Sequence, residues 1–221
     1  MLAGAYQAVS YPIAGDRGER PVLAGWILVL ASFFVPVLPL VPLVGYLVRV
    51  LVSSAAAESG TPAFVRDGIG LVRVGVGATM IFIAYAAIPL GVLLVTIYGL
   101  IESPRVPENL VETIAFFTGT TVAAVLSLLS SYLVPLAVTA YGRERRLRAA
   151  FAPARIRPLA RSREVFVAWA VAVVVTTVGL ALSLELLSLS RLGSVLAALV
   201  VVYASILAVH RLGVGIARAE R

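Results

Sequence analysis

Apolar residues run through this chain in long blocks separated by short polar links, without the alternation of a half-buried strand or the narrow stripe of a surface helix. Segments 69–101, 113–140, 165–187 and 192–212 each supply the roughly 20 apolar residues that a helix needs to cross a bilayer core of about 30 Å. No stretch between them is long enough for a separate soluble domain. The expected fold is all-α: a polytopic transmembrane helical bundle of five to six membrane segments, forming one integral membrane domain over residues 1–221.

The first apolar block, 22–52, is the ambiguous one. As a single helix its 31 residues would reach about 46 Å, well beyond the hydrocarbon core. Pro36, Pro39 and Pro42 interrupt it, each removing a backbone donor and crowding the preceding turn. Two readings stand: a kinked span running into an interfacial helix, or two short helices forming a hairpin that turns near 36–42. The hairpin is favoured, because one span would need both excess length and three tolerated prolines. Ahead of it, residues 1–21 form a polar N-tail. Leu2, Tyr6, Val9 and Ile13 recur at helical spacing until Pro12 intervenes, and Asp16, Arg17, Glu19 and Arg20 make a polar collar before Pro21. This tail lacks a basic start followed by a short apolar stretch, so a cleaved secretion signal is not expected.

Composition agrees with lipid as the solvent. The chain is 61% hydrophobic and 13% charged, with mean hydropathy +1.02, whereas soluble domains carry about 25% charged residues. Cysteine is absent, which excludes disulfides and thiolate metal sites. All 18 basic residues are arginine, and the net charge is +7. Their distribution sets an orientation, since basic residues collect on the cytoplasmic side. With the hairpin, 16 arginines lie inside and only Arg105 and Arg191 outside; with a single first span, Arg17 and Arg20 join those two, leaving 14 inside. Either way the C-terminus and segment 143–163 are cytoplasmic; the hairpin puts the N-terminus there too. The expected location is the cell (plasma) membrane.

Candidate chemistry is sparse. The deep interiors of the spans carry no Asp, Glu, Lys, Arg or His, which argues against a proton-coupled pump. His210, the only histidine, reads as an interfacial residue beside Arg211, without a second histidine or a nearby acid to complete a metal site. Glu185 and Arg191 flank the last turn and read as a local ion pair. Span hydroxyls such as Thr79, Ser130, Thr176 and Ser205 lack an expected base and read as helix-bonding groups. Gly75, Gly77, Gly91 and Gly179 are expected to let helices approach closely. Pro89 and Pro135 kink their helices, and are either healed by a neighbour or line a cavity. No catalytic, cofactor-binding or metal-ligating residue is assigned, and no cofactor is expected. Tyr85-Pro89-Leu90 and Tyr132-Pro135-Leu136 echo each other too weakly to indicate a transporter repeat.

The sharpest feature is segment 143–163, with eight arginines. Arg143, Arg145, Arg146, Arg148, Arg155 and Arg157 are the candidate contacts to anionic lipid headgroups or a cytoplasmic partner, with Leu147, Phe151, Ile156 and Leu159 dipping into the interface. The plainer role is a topological anchor. Nucleic acid is not an expected partner, since no aromatic platform accompanies the arginines.

Several short stretches, in order, carry a resemblance: Tyr11-Pro12 with the polar collar, Gly45-Tyr46-Leu47-Val48-Arg49-Val50, Pro62-Ala63-Phe64-Val65-Arg66-Asp67-Gly68, Tyr132-Leu133-Val134-Pro135, Leu147-Arg148-Ala149-Ala150-Phe151 and Val167-Ala168-Trp169. Together they resemble a family of archaeal and bacterial multi-pass membrane proteins catalogued as domain of unknown function 4013 and common in salt-loving archaea. The resemblance implies a prokaryotic cell membrane and no particular activity. Family members tend to carry a tryptophan after the acidic position at Asp67 and an acid after Phe151. Gly68 and Ala152 stand there instead, so no acid-based role carries over. The functional expectation is a non-enzymatic envelope protein that organises membrane lipids or partners, whether other membrane proteins or further copies of itself. The alternative is a small transporter or channel subunit with its cavity near the kinked helices.

Overall fold

The computed structural model describes residues 11, 19–58, 62, 68–101, 110–189 and 191–221, with the backbone alone at 99–101 and 191. The elements among them are helical: α1 (Glu19–Ala31), α2 (Leu40–Ala55), α3 (Gly68–Ile101), α4 (Leu110–Glu144), a 3₁₀ turn (Leu147–Phe151), α5 (Pro153–Ala160), α6 (Arg163–Leu189) and α7 (Arg191–Ala219). Four are long and apolar enough to cross a membrane: Gly68–Tyr98, Leu110–Glu144, Arg163–Leu189 and Leu192–Ala219. The expected loop 102–112 lies, up to residue 109, outside the described residues, as do most of the N-tail and of the polar link 55–67.

The prolines of the first apolar block sit where each costs least. Residues 32–39 form the break, with Pro36 inside it, Pro39 capping α2 and Pro42 in the first turn of α2. A first-turn proline forfeits only a donor that has no intrahelical partner. The break holds Val37 at φ 71°, a left-handed conformation that a β-branched residue adopts only under constraint. At 13 and 16 residues, α1 and α2 reach only about 20 and 24 Å.

Contacts order the bundle. Tyr11 stacks on His210, Gly25 faces Val202, and the Trp26 indole donates to the Val195 carbonyl at 2.8 Å, so this part of the chain climbs α7 toward its start. α2 descends again: Leu43 lies beside Gly25, and Ser54 bonds His210. The two short helices are therefore antiparallel to each other and docked on α7. Gly45 and Gly75 bring α2 and α3 into backbone contact, since a Cβ on either would lie 2.0 Å from a carbonyl of the other helix. α6 and α7 form the most extensive pair, and they lie so close where α7 begins that a Cβ on Gly193 would meet the Leu186 carbonyl. Of the glycines expected to permit close approach, Gly75, Gly77 and Gly179 do. Gly91 does not: nothing lies within 4 Å of where its Cβ would be. That position faces outward, and helical spacing cannot tell a lipid-facing glycine from a buried one.

Two buried clusters result. One centres on Tyr46, Val50, Leu71, Val202 and Ile206; the other runs from Val74, Ala78 and Ile81 through Leu136 and Tyr141 to Ile216. Much of the remaining apolar surface faces outward, as Ile88 (65% exposed) and Val95 (75%) do on α3. In water such a surface would aggregate; in hydrocarbon it is the solvated face.

Candidate functional site

One end of the bundle collects the charge. There Arg143, at the end of α4, forks onto Glu220 beyond α7 at 2.5 and 2.9 Å and reaches the Ala55 carbonyl ending α2. Arg163 and Glu164 open α6 beside Gly215 of α7, and Tyr141 donates to the Arg73 carbonyl near the start of α3. The ends of five helices thus meet, with Arg143, Arg145, Arg155 and Arg163 of segment 143–163 among them.

That segment is folded onto the protein. α4 stops at Glu144, where Arg145 takes φ 57° and donates its N–H to the Tyr141 carbonyl, a left-handed helix ending that glycine usually supplies. The 3₁₀ turn and α5 follow. Two tyrosines hold them down: Tyr85 of α3 donates to the Ala150 carbonyl at 3.0 Å, and Tyr132 of α4 to the Ala160 carbonyl at 2.9 Å. Phe151 stacks on Tyr85, and Ile156 is buried with Leu159 packed beside the core cluster. The expectation that Leu147, Phe151, Ile156 and Leu159 all dip into lipid therefore needs correction. Ile156 and Leu159 turn inward, because the helix ends leave an apolar step there that the segment fills.

The six nominated arginines divide accordingly. Arg143 pairs with Glu220 and Arg155 with Glu144. Arg145 lines a cavity of about 210 Å³ with Arg49, Glu58 and Pro62. Arg146, Arg148 and Arg157 are exposed and take no part in these ion pairs. Sequence spacing alone did not single out the acids at 144 and 220 as partners, since Glu220 is 77 residues from Arg143.

The two kinked helices differ. Pro89 leaves the Tyr85 carbonyl without its helical donor, and the Ser130 hydroxyl of α4 supplies one at 3.1 Å. A neighbouring helix heals that break. Pro135 instead lines an apolar groove of about 390 Å³ between α2, α3, α4 and α7, with Val48, Leu51, Phe82 and Val209; Thr79 brings the one hydroxyl in its lining. Pro89 is not among its lining residues.

One juxtaposition runs against the sequence reading. Ser54 Oγ lies 2.8 Å from His210 Nδ1, so a base does stand beside a buried serine. The ring of Tyr11 covers His210 at 3.5 Å, and burial pushes the Tyr11 hydroxyl above its ordinary value. The pair was missed because 156 residues separate its members. Its geometry fastens Tyr11 and α2 to α7. Among the described residues no three of His, Asp and Glu come together to hold a metal ion. The expected pairing of Glu185 with Arg191 lies outside the described side chains.

All-helical architecture with four helices fit to cross a bilayer defines the class: a protein built for a membrane. The chain belongs to the family described as Protein of unknown function (DUF4013), whose model matches residues 27–188, from within α1 to the last turn of α6. No curated protein and no solved structure matches it.

Proposed function

We propose that this is a non-enzymatic membrane protein whose arginine-faced end lies at the cytoplasmic surface of the cell membrane and gathers anionic lipid headgroups there. The observation that carries this reading is the convergence of the ends of α2, α4, α6 and α7 with segment 143–163 at one end of the bundle. Basic residues near an anionic leaflet contribute about 1 kcal/mol each, and the positive-inside rule sets the side. Exposed Arg146, Arg148 and Arg157 make the contact, while Arg143 and Arg155 are taken up by Glu220 and Glu144.

The protein holds two tryptophans and no cysteine, which makes both tests clean. Quenching of tryptophan by brominated phosphatidylglycerol should exceed quenching by brominated phosphatidylcholine, and the preference should fall several-fold in R146Q/R148Q/R157Q. An unchanged preference removes those residues from the function. Single cysteines at residues 14 and 217 should both label from the cytoplasmic side, as a hairpin of α1 and α2 requires. Labelling of position 14 from outside only would leave a single first span.

A second reading, a small transporter or channel subunit, draws on the groove beside Pro135. Its lining is apolar, so its cargo would be apolar too. Protein-dependent flux in proteoliposomes that is blocked by Thr79→Trp, and absent without protein, would favour it over the lipid-organising role.

A further inference from the structure

We propose that the seam between the start of α6 and the end of α7 is a site for one anionic phospholipid, its phosphate held by Arg163, Arg211 and Arg218 and one acyl chain lying along the valines below. A trench of about 340 Å³ opens there. It exists because the helices touch through small residues: a Cβ on Gly215 would lie 2.3 Å from that of Ala168, so no side chain fills the space above their contact. The trench is lined by the three arginines, drawn from two helices, and by Val167, Val171 and Val214. None of these three arginines belongs to the ion pairs Arg143–Glu220 and Arg155–Glu144.

The lining also holds one acid, Glu164, whose carboxylate accepts the Ser162 hydroxyl at 2.6 Å. The trench therefore keeps a surplus of positive charge. Arginine suits a phosphate, since its planar fork can donate two parallel hydrogen bonds. The apolar walls decide between a lipid and a soluble anion. Val167 and Val171, 51% and 40% exposed, lie on one face of α6 one turn apart, the second nearer the apolar middle of the helix. A headgroup with a chain attached satisfies both halves; a free phosphate satisfies one.

This deepens the lipid-gathering reading but uses different arginines, so the two can fail separately. The test is titration of the intact protein in mild detergent with dioleoyl phosphatidylglycerol or dioleoyl phosphatidylcholine, counting bound lipids by native mass spectrometry. The expected result is one tightly held phosphatidylglycerol. Its affinity should fall on the order of 25-fold in R211Q/R218Q, about fivefold per arginine, and should hold in R146Q/R148Q/R157Q. Val171→Trp, which fills the chain path and leaves the arginines, should weaken the lipid without affecting helix content. Unchanged binding in R211Q/R218Q overturns the site. Equal loss in the seam and linker variants also overturns it, leaving a diffuse basic face. Loss in neither removes the lipid-gathering reading as well. Glycerol 3-phosphate competing as well as the lipid would make the trench an anion site and overturn the assignment to a phospholipid.

Discussion

The contact between α2 and α3 and the seam between α6 and α7 are both built from small residues, yet they do different work. At the first, Gly45 and Gly75 face each other, and each helix's carbonyl occupies the space where the other's Cβ would stand. That crossing is closed and buried. Along the second, Gly179 meets Ala204 and Gly215 meets Ala168, side chain against glycine. The two contacts share one register, and the pair opens at the charged end. Small residues bring helices together in lipid, where no hydrophobic force separates protein from solvent; whether the contact seals or leaves a trench depends on what lies opposite.

The largest effect expected from this difference is at Gly75. Gly75→Val drives side-chain atoms into backbone that cannot be cut back, so it should cost at least about 3 kcal/mol, the upper part of the overpacking range, and no substitution on α2 should rescue it. Gly215→Ala should cost about 1–2 kcal/mol and be largely recovered by Ala168→Gly, because its nearest obstacle is a methyl group, with the Glu164 carbonyl farther off at 3.1 Å. Reversible unfolding in mixed micelles reads both. Equal rescue at the two sites would erase the distinction between them.

An intermediate effect is expected between α3 and α4, where a hydroxyl does the joining. Ser130→Ala should cost about 1 kcal/mol by orphaning the Tyr85 carbonyl, and Pro89→Ala should abolish that cost by restoring the helical donor. Additive losses in the double variant, measured in the same assay, would show that Ser130 acts elsewhere.

The smallest effect should come from the charged end itself. Glu220→Gln breaks the fork with Arg143, whose two side chains are each 36% exposed, and should cost less than about 1 kcal/mol, shrinking further in high salt. A larger, salt-independent loss would mean that the fork, and not the apolar packing of Ile156 and Leu159, holds segment 143–163 down.

Much of the fold could be read from the chain, because lipid imposes a simple demand. A backbone in hydrocarbon must bond to itself, so each long uncharged run has to be a helix, and its polar borders mark most of the ends to within a few residues, the end of α7 at Ala219 lying beyond the expected 212. Prolines placed a break near 36–42 for the same local reason, and the structure sets it at 32–39 with Pro42 already inside α2; the charged end followed from where arginines fall. The chain order could not tell which of those arginines are occupied. Arg143 and Arg155 look no different from Arg146 until α7 brings Glu220 alongside and α5 turns back on Glu144.

The site was the less legible part. Ser130 reaching the carbonyl freed by Pro89, Tyr85 and Tyr132 tethering the basic segment, Ser54 meeting His210, and the trench over Gly215 all join residues from different helices. Periodicity reports what a helix shows to its surroundings, and here the surroundings are apolar on both the lipid and the protein side. By itself the sequence determined that the long apolar segments are helices and which end carries the charge; the helix within 143–163 and the last seven residues of α7 came only with the structure. Which face of each helix turns inward, and so which groups meet, was decided only by packing, because an apolar face reads the same against lipid as against another helix.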